Sequence, residues 1–193
     1  MKFSFYQSLT FILLSGFTFF SGSSKAQLYS YTNATSGSPA AVAANATGSN
    51  LARVNGATIP GSPCATGFSS TNFTSGTVYN TSLKAIEFTI TPNTGFQLNI
   101  VSLTAGLRRS STGPALIRFA YSTDEGATWI DEGSNHAPKN SGCGNINSYT
   151  WDIDPFVVTT AFKVRIYGFS ASATGGTLQL LNVTLAGTVT GSG

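Results

Sequence analysis

The sequence predicts an all-β protein, an antiparallel β-sandwich of jelly-roll type. From residue 77 onward, short segments alternate apolar and polar residues, and turn-forming residues separate them. No segment has the 3.6-residue period of an amphipathic helix. Alternation with a period of two puts one face of each strand in a core and the other in solvent, which is typical of antiparallel sheets packed in pairs.

The strand segments follow one another at short intervals. Alternation predicts seven of them, at 85–91, 96–107, 116–121, 128–130, 148–153, 162–167 and 178–189. Residues 92–95 contain Pro, Asn and Gly and predict a turn. Residues 108–114 are polar and predict a loop that begins with two arginines.

Residues 1–26 have the pattern of a secretory signal peptide. A positive start precedes an apolar stretch at 11–20, and Ser24 and Ala26 stand at the minus-three and minus-one positions before Gln27. The apolar stretch is too short to span a membrane with these flanks. We therefore expect a secreted, extracellular or cell-surface protein whose mature chain has no membrane span.

Residues 27–193 are expected to form one β-sandwich domain, because this length supports a single core. Residues 27–76 are rich in Asn, Ala, Gly, Ser and Thr and predict a loop-rich first part, with one strand at 28–31. The main strands are expected within 77–189. Three apolar side chains of the first part are expected to tuck under a sheet, namely Leu51, Val54 and Ile59.

Charge argues against a nucleic-acid partner. The chain has ten Lys and Arg residues against seven Asp and Glu residues. Lys2 and Lys25 belong to the signal peptide, so the remaining chain is nearly neutral and has no basic patch.

Cys64 and Cys143 are the two cysteines of the chain. In an oxidising compartment a disulfide is the expected state, and two free thiols or a metal-binding pair are the alternatives. Neither cysteine lies in a Cys-x-x-Cys motif or beside a histidine cluster, which favours the disulfide. Closing so long a loop would stabilise the fold by about 4–5 kcal/mol.

One short motif stands out between two predicted strands. Ser122, Asp124, Gly126, Thr128 and Trp129 match the Ser-x-Asp-x-Gly-x-Thr-Trp pattern of the Asp box. The Asp can accept hydrogen bonds from turn amides, the Gly can supply a positive φ, and the Trp can bury at the base. The motif resembles an element of sialidases, where it lies away from the active site, so a structural hairpin is favoured over a binding turn.

A wider resemblance appears when five segments are taken together. Residues 88–96, 103–114, 121–124, 165–169 and 176–187 are similar to a jelly-roll module of large secreted or surface-exported proteins of Gram-negative bacteria. The resemblance implies a fold related to carbohydrate-binding jelly rolls and a non-catalytic accessory role. Related modules often carry an acidic residue, which helps to hold a structural calcium, where this chain has Leu181.

Calcium is the one cofactor that the sequence leaves open, and no other is expected. It requires six to eight oxygen ligands, usually with several carboxylates. Asp152 with Asp154, and Asp131 with Glu132, are the dense acidic pairs of the chain. An ordinary acidic loop is the alternative for each pair.

Two aromatic pairs are candidates for sugar stacking. Tyr149 and Trp151 are two residues apart and share one face of their strand, as do Tyr167 and Phe169. An exposed pair would form a platform for a sugar, whereas burial in the core is the alternative.

Arg108 and Arg109 are a further candidate, for an anion. The alternative is a solvated loop in which one arginine pairs with a carboxylate. Neither interpretation requires a catalytic role.

The sequence thus predicts a non-catalytic binding module for an extracellular glycan or a surface or matrix polymer. The alternative is a structural or adhesive subunit that self-associates along its long final strand. A glycoside or ester hydrolase is the third interpretation, and it would require two carboxylates in a cleft or a nucleophile beside His136.

Overall fold

The computed structural model describes residues 26–193, so the predicted signal peptide lies outside the described residues except for Ala26. Thirteen strands and no helix occur in the described part, in this order. The strands are β1 (Gln27–Thr32), β2 (Ala41–Val42), β3 (Ala46–Gly48), β4 (Ala52–Val54), β5 (Phe68–Ser70), β6 (Ala85–Pro92), β7 (Phe96–Arg109), β8 (Pro114–Ser122), β9 (Ile130–Asp131), β10 (Lys139–Asn140), β11 (Asn147–Val158), β12 (Phe162–Ala171) and β13 (Leu178–Gly191). Over residues 26–193, accordingly, no helix of membrane-spanning length and hydropathy is found.

The strands form two sheets. Sheet A runs β2–β1–β13–β7, with β11 and β10 also pairing with β7 and with β5 beside β13. Sheet B runs β3–β6–β12–β8–β9, with β4 beside β6. All pairings are antiparallel except that of the short β10 with β7. The predicted all-β antiparallel sandwich is confirmed, and its jelly-roll type stays a prediction.

The core lies between the two sheets and is built by the alternation of their strands. Tyr29 of β1 stacks on Phe88 of β6, with ring centroids 4.4 Å apart, and so joins sheet A to sheet B. Both rings are fully buried, as are Phe119 and Phe162 of sheet B. Burial of this many large side chains supplies the main free energy of folding.

The first part of the chain is more regular than predicted. Residues 27–76 contain five short strands, and β1, the strand predicted at 28–31, lies inside sheet A between β13 and β2. Leu51 is buried and Val54 is half-buried, but Ile59 is 71% exposed, so its predicted burial is wrong. Thr58 bridges to Thr71, and at Ile59 the chain leaves this short contact for the surface.

One other expectation about the strands is also wrong. Arg108 and Arg109 lie in β7, where they pair with Gln179 and Leu178, so the loop begins only at Ser110. The final strand β13 has β7 on one side and β1 or β5 on the other through Ala186. This part of β13 therefore offers no free edge for self-association.

Candidate functional site

The strongest candidate for a binding surface lies at one side of the sandwich. Here β11, which pairs with β7 alone, meets β8 of sheet B. The Tyr121 ring lies 5.4 Å from the Trp151 ring and 5.2 Å from the Phe156 ring, centroid to centroid. Ile130 lies opposite Tyr121 in the β8–β9 register and shares its face. We call these four residues the aromatic edge.

The alternation of β11 explains why Trp151 is only half-buried. Ile153 is buried, while Thr150 and Asp152 are exposed, so Trp151 faces the core at the margin of sheet A. In the described part of the chain, no further strand covers this margin. The indole N–H of Trp151 has no hydrogen-bond partner among these residues, and the residue is partly exposed.

A carboxylate accompanies these rings. Asp154 lies on β11 between Trp151 and Phe156 and is exposed. Burial raises the pKa of the Tyr121 hydroxyl, and the negative charge of Asp154 raises it further. The aromatic edge therefore combines stacking surface with acceptors for hydrogen bonds.

Tyr149, the second predicted platform residue, contacts other parts of the protein through both its hydroxyl and its ring. Its hydroxyl donates to the Ala137 carbonyl oxygen at 2.5 Å and accepts from Asn147 Nδ2 at 3.1 Å. Its ring lies 4.6 Å from the His136 ring. Tyr149 thus fixes the segment after β9, next to the aromatic edge.

His136 is held in turn by Glu132, whose carboxylate contacts its Nε2. Burial raises the pKa of the Glu132 carboxyl, and the facing imidazole counteracts part of this effect. The main chain of His136 is bridged to Ile117. These contacts give the single histidine a positioning role in the loop.

Tyr167 and Phe169 are wrong as a stacking platform, because both are 0% exposed. They form a small second core on the outer face of sheet B, together with Leu83. Tyr79 packs against the Tyr167 ring with centroids 5.3 Å apart. The segment before β6 folds back over the sheet and covers them, which local alternation could not reveal.

A charged cluster on the same outer face was missed by sequence reasoning. Arg165 Nε donates to Glu87 Oε2 at 2.6 Å, and its guanidinium carbon lies 4.0 Å from the Trp129 ring centroid. Glu87 and Arg165 are opposite in the β6–β12 register. The available signal was the presence of charged residues at outward positions, Glu87 on β6 and Lys163 and Arg165 on β12.

The turn that carries the Asp-box residues is held by its own side chains. Asp124 accepts from the Thr128 amide at 2.9 Å and from the Thr128 hydroxyl at 2.5 Å. The Ser122 hydroxyl donates to Asp124 at 2.7 Å and accepts from the Gly126 amide at 2.8 Å. Glu125 and Gly126 both have positive φ, at 62° and 98°. These bonds lower the pKa of Asp124 to about 2, with the Thr128 hydroxyl as the largest cause.

Arg108 is not a surface anion site, since it is only 4% exposed. Its Nε donates to Gln179 Oε1 at 2.5 Å, and its Nη1 donates to the carbonyl oxygens of Cys143 and Gly144, each at 2.6 Å. It pairs with carbonyl and amide oxygens where the sequence suggested a carboxylate. Arg109 Nη1 donates to the carbonyl oxygens of Ser110, Ser111 and Gly113 in the loop.

The predicted disulfide is confirmed, and it joins Cys64 to Cys143 across 79 residues. Together with Arg108 it holds the loop before β11 against sheet A. This contact fixes the start of the strand that carries Trp151.

The candidate calcium ligands are divided between different partners. Asp131 Oδ1 lies 3.1 Å from Arg118 Nη1, and Glu132 contacts His136. Asp152 and Asp154 lie on β11. Over residues 26–193, no group of three or more His, Cys, Asp or Glu side chains is arranged to hold a metal ion.

Comparison with known proteins assigns no family. No family model matches the chain, and no curated protein matches it. Among solved structures, the chain is similar to the enzymatically active domain of tailspike protein 4 of bacteriophage CBA120, with 18% identity and a TM-score of 0.29. The match covers 75% of this chain and 20% of that one, so the chain spans about a fifth of the tailspike's length. A likeness of this size supports no conclusion about fold or function.

Proposed function

We propose that this protein is a secreted or cell-surface, non-catalytic module that binds glycans at the aromatic edge. The observation that carries the proposal is the half-buried Trp151, whose ring packs on Tyr121 while part of the residue stays exposed. Sugars bind proteins by laying their C–H faces on such rings while polar groups fix their hydroxyls.

The surroundings of Trp151 suit this role. The ring is packed against Tyr121, which also packs on Phe156, so little side-chain freedom would be lost when a sugar binds. The exposed carboxylate of Asp154 lies on the same strand and can accept hydrogen bonds from sugar hydroxyls. The rim of the surface is therefore polar and its centre aromatic.

The strand β11 also argues against the structural-subunit alternative. An edge strand that assembles with other copies needs a regular row of free backbone groups. Here Pro155 lacks an N–H, Asp152 and Asp154 add charge, and the register shifts between Asp152 and Phe156. These are features that block pairing between edges.

A glycan array of the oxidised protein, with and without calcium, tests the proposal. We expect selective binding that is lost in Trp151→Ala. Trp129→Ala is the matched control, because it removes the other of the two tryptophans from a different face and should preserve binding. Binding that occurs only when calcium is present would show that a metal ion forms part of the site.

Fluorescence gives a second readout with the same residues. Trp129→Phe leaves Trp151 as the single indole, so its emission should shift when a bound glycan covers it. Silence on the array in both conditions, or loss of binding in Trp129→Ala but not in Trp151→Ala, would refute the proposal.

A further inference from the structure

A second concave site lies on a different part of the molecule. A cavity of about 350 Å³ is lined by residues 73–75, Lys84 and residues 171–174. It shares no residue with the aromatic edge. Its volume falls in the range of small-molecule sites in proteins.

The two walls of this cavity are fastened to each other by hydrogen bonds. The Ala171 amide donates to the Thr74 carbonyl oxygen at 3.0 Å. The Asn72 amide and the Thr71 hydroxyl donate to the Thr174 carbonyl oxygen at 2.9 and 2.8 Å. The cavity is thus formed before any ligand arrives, which lowers the cost of binding.

One charged group of the cavity lacks an ion-pair partner. The Lys84 ammonium forms no ion pair with any described residue, although it lines the same cavity.

We propose that this cavity binds an acidic sugar unit, a uronic acid, whose carboxylate pairs with Lys84. A charge-assisted hydrogen bond between ammonium and carboxylate is stronger than one between neutral groups. The exposed hydroxyl residues Ser172 and Thr174 would bond the ring hydroxyls. Ala171 and Ala173 offer apolar surface for the C–H groups of the ring.

The proposal stands on residues other than those of the aromatic edge, so it does not depend on the proposed function. Titration of the oxidised, ¹⁵N-labelled protein with D-glucuronate tests it directly. We expect saturable shifts of the amides at 73–75, 84 and 171–174. D-glucose and inorganic phosphate should each bind at least about tenfold more weakly, because each lacks half of the recognised chemistry.

Variants locate the site. Lys84→Met should weaken glucuronate binding about tenfold or more, and Lys84→Arg should retain most of it. Lys139→Met is the matched control, because it removes one positive charge from an exposed strand elsewhere. Trp151→Ala should leave this titration unchanged, so each proposal can fail by itself.

A variant that fills the cavity with a larger side chain tests the proposal even if Lys84→Met does not fold. Ala173 is exposed at the rim, so Ala173→Phe should fold and should abolish the glucuronate shifts by occupying the cavity. The proposal is overturned if glucuronate gives no saturable shift, if glucose or phosphate binds as tightly, or if Lys84→Met and Lys139→Met behave alike.

Discussion

The guanidinium of Arg165 lies over the Trp129 ring, with its central carbon 4.0 Å from the ring centroid. Trp129 ends the turn between β8 and β9, whereas Arg165 belongs to β12. The indole N–H donates to the Gly126 carbonyl oxygen at 3.1 Å. This contact attaches the turn to the outer face of sheet B, so Trp129 supports the fold.

Replacing Trp129 by Ala should therefore destabilise the protein. Loss of the cation–π contact and of the buried ring surface should lower the free energy of unfolding by about 2–3 kcal/mol. Urea denaturation of the oxidised protein measures this change. Ile59→Ala, at a 71% exposed position, is the control and should have little effect. Equal stability of the two variants would show that the stacking contributes nothing.

Asp124 should make the stability of the fold depend on acid pH. Its pKa is lowered to about 2 by hydrogen bonds from Thr128 and Ser122, whereas an unfolded aspartate titrates near 3.9. The stabilisation is therefore present above about pH 4 and is lost as the pH falls through about 2.

Melting temperatures between pH 4 and pH 2 test this dependence. The melting temperature of Asp124→Asn should fall less steeply over that window than that of the unmodified protein. Thr128→Val, which removes the hydroxyl donor and keeps the amide, should raise the carboxyl pKa when it is followed by NMR. An unchanged carboxyl titration in Thr128→Val would contradict the assignment.

Two adjacent arginines should differ strongly when replaced. Arg108→Ala leaves the buried Gln179 side chain and the Cys143 and Gly144 carbonyls without their donor. The expected loss of stability is about 2–4 kcal/mol. Arg109 is half-buried and bonds its own loop, so Arg109→Ala should lose about 1 kcal/mol or less. Denaturant unfolding of both variants measures these losses of stability. A larger loss in Arg109→Ala than in Arg108→Ala would contradict the structural role given to Arg108.

Two adjacent glycines offer a second comparison. A Cβ on Gly176 would lie 2.2 Å from the Thr112 carbonyl oxygen, whereas a Cβ on Gly175 would meet nothing within 4 Å. Gly176→Ala should therefore separate the loops before β8 and β13 and lower the free energy of unfolding by about 2 kcal/mol or more. Gly175→Ala should stay within about 0.5 kcal/mol. Thermal unfolding measures the stability of both variants. Similar losses of stability would show that the two loops are not closely packed.

Much of the fold was predictable because local alternation reports which face of a strand is buried. Strands such as β6 and β12 follow their predicted segments closely, and the alternation on β11 correctly groups Tyr149 with Trp151. The disulfide also followed from the composition and the predicted compartment.

The short strands of residues 27–76 were harder to predict. Most of them contain small polar residues whose local preference is for loops. They are strands because longer neighbours pair with them, as β6 pairs with β3 and β4. Their partners lie tens of residues away along the chain, so no local sequence pattern predicts these short strands.

The sequence by itself determined the all-β class, the period of each long strand and the Cys64–Cys143 pair. The tertiary structure decided which candidates are accessible, since it buried Tyr167 and Arg108 and left Trp151 at a margin. Alternation distinguishes two faces of a strand, but it does not say whether another segment covers the outer face or whether the strand lies at an edge. Those outcomes depend on contacts between distant segments, and they exist only once the two sheets have packed.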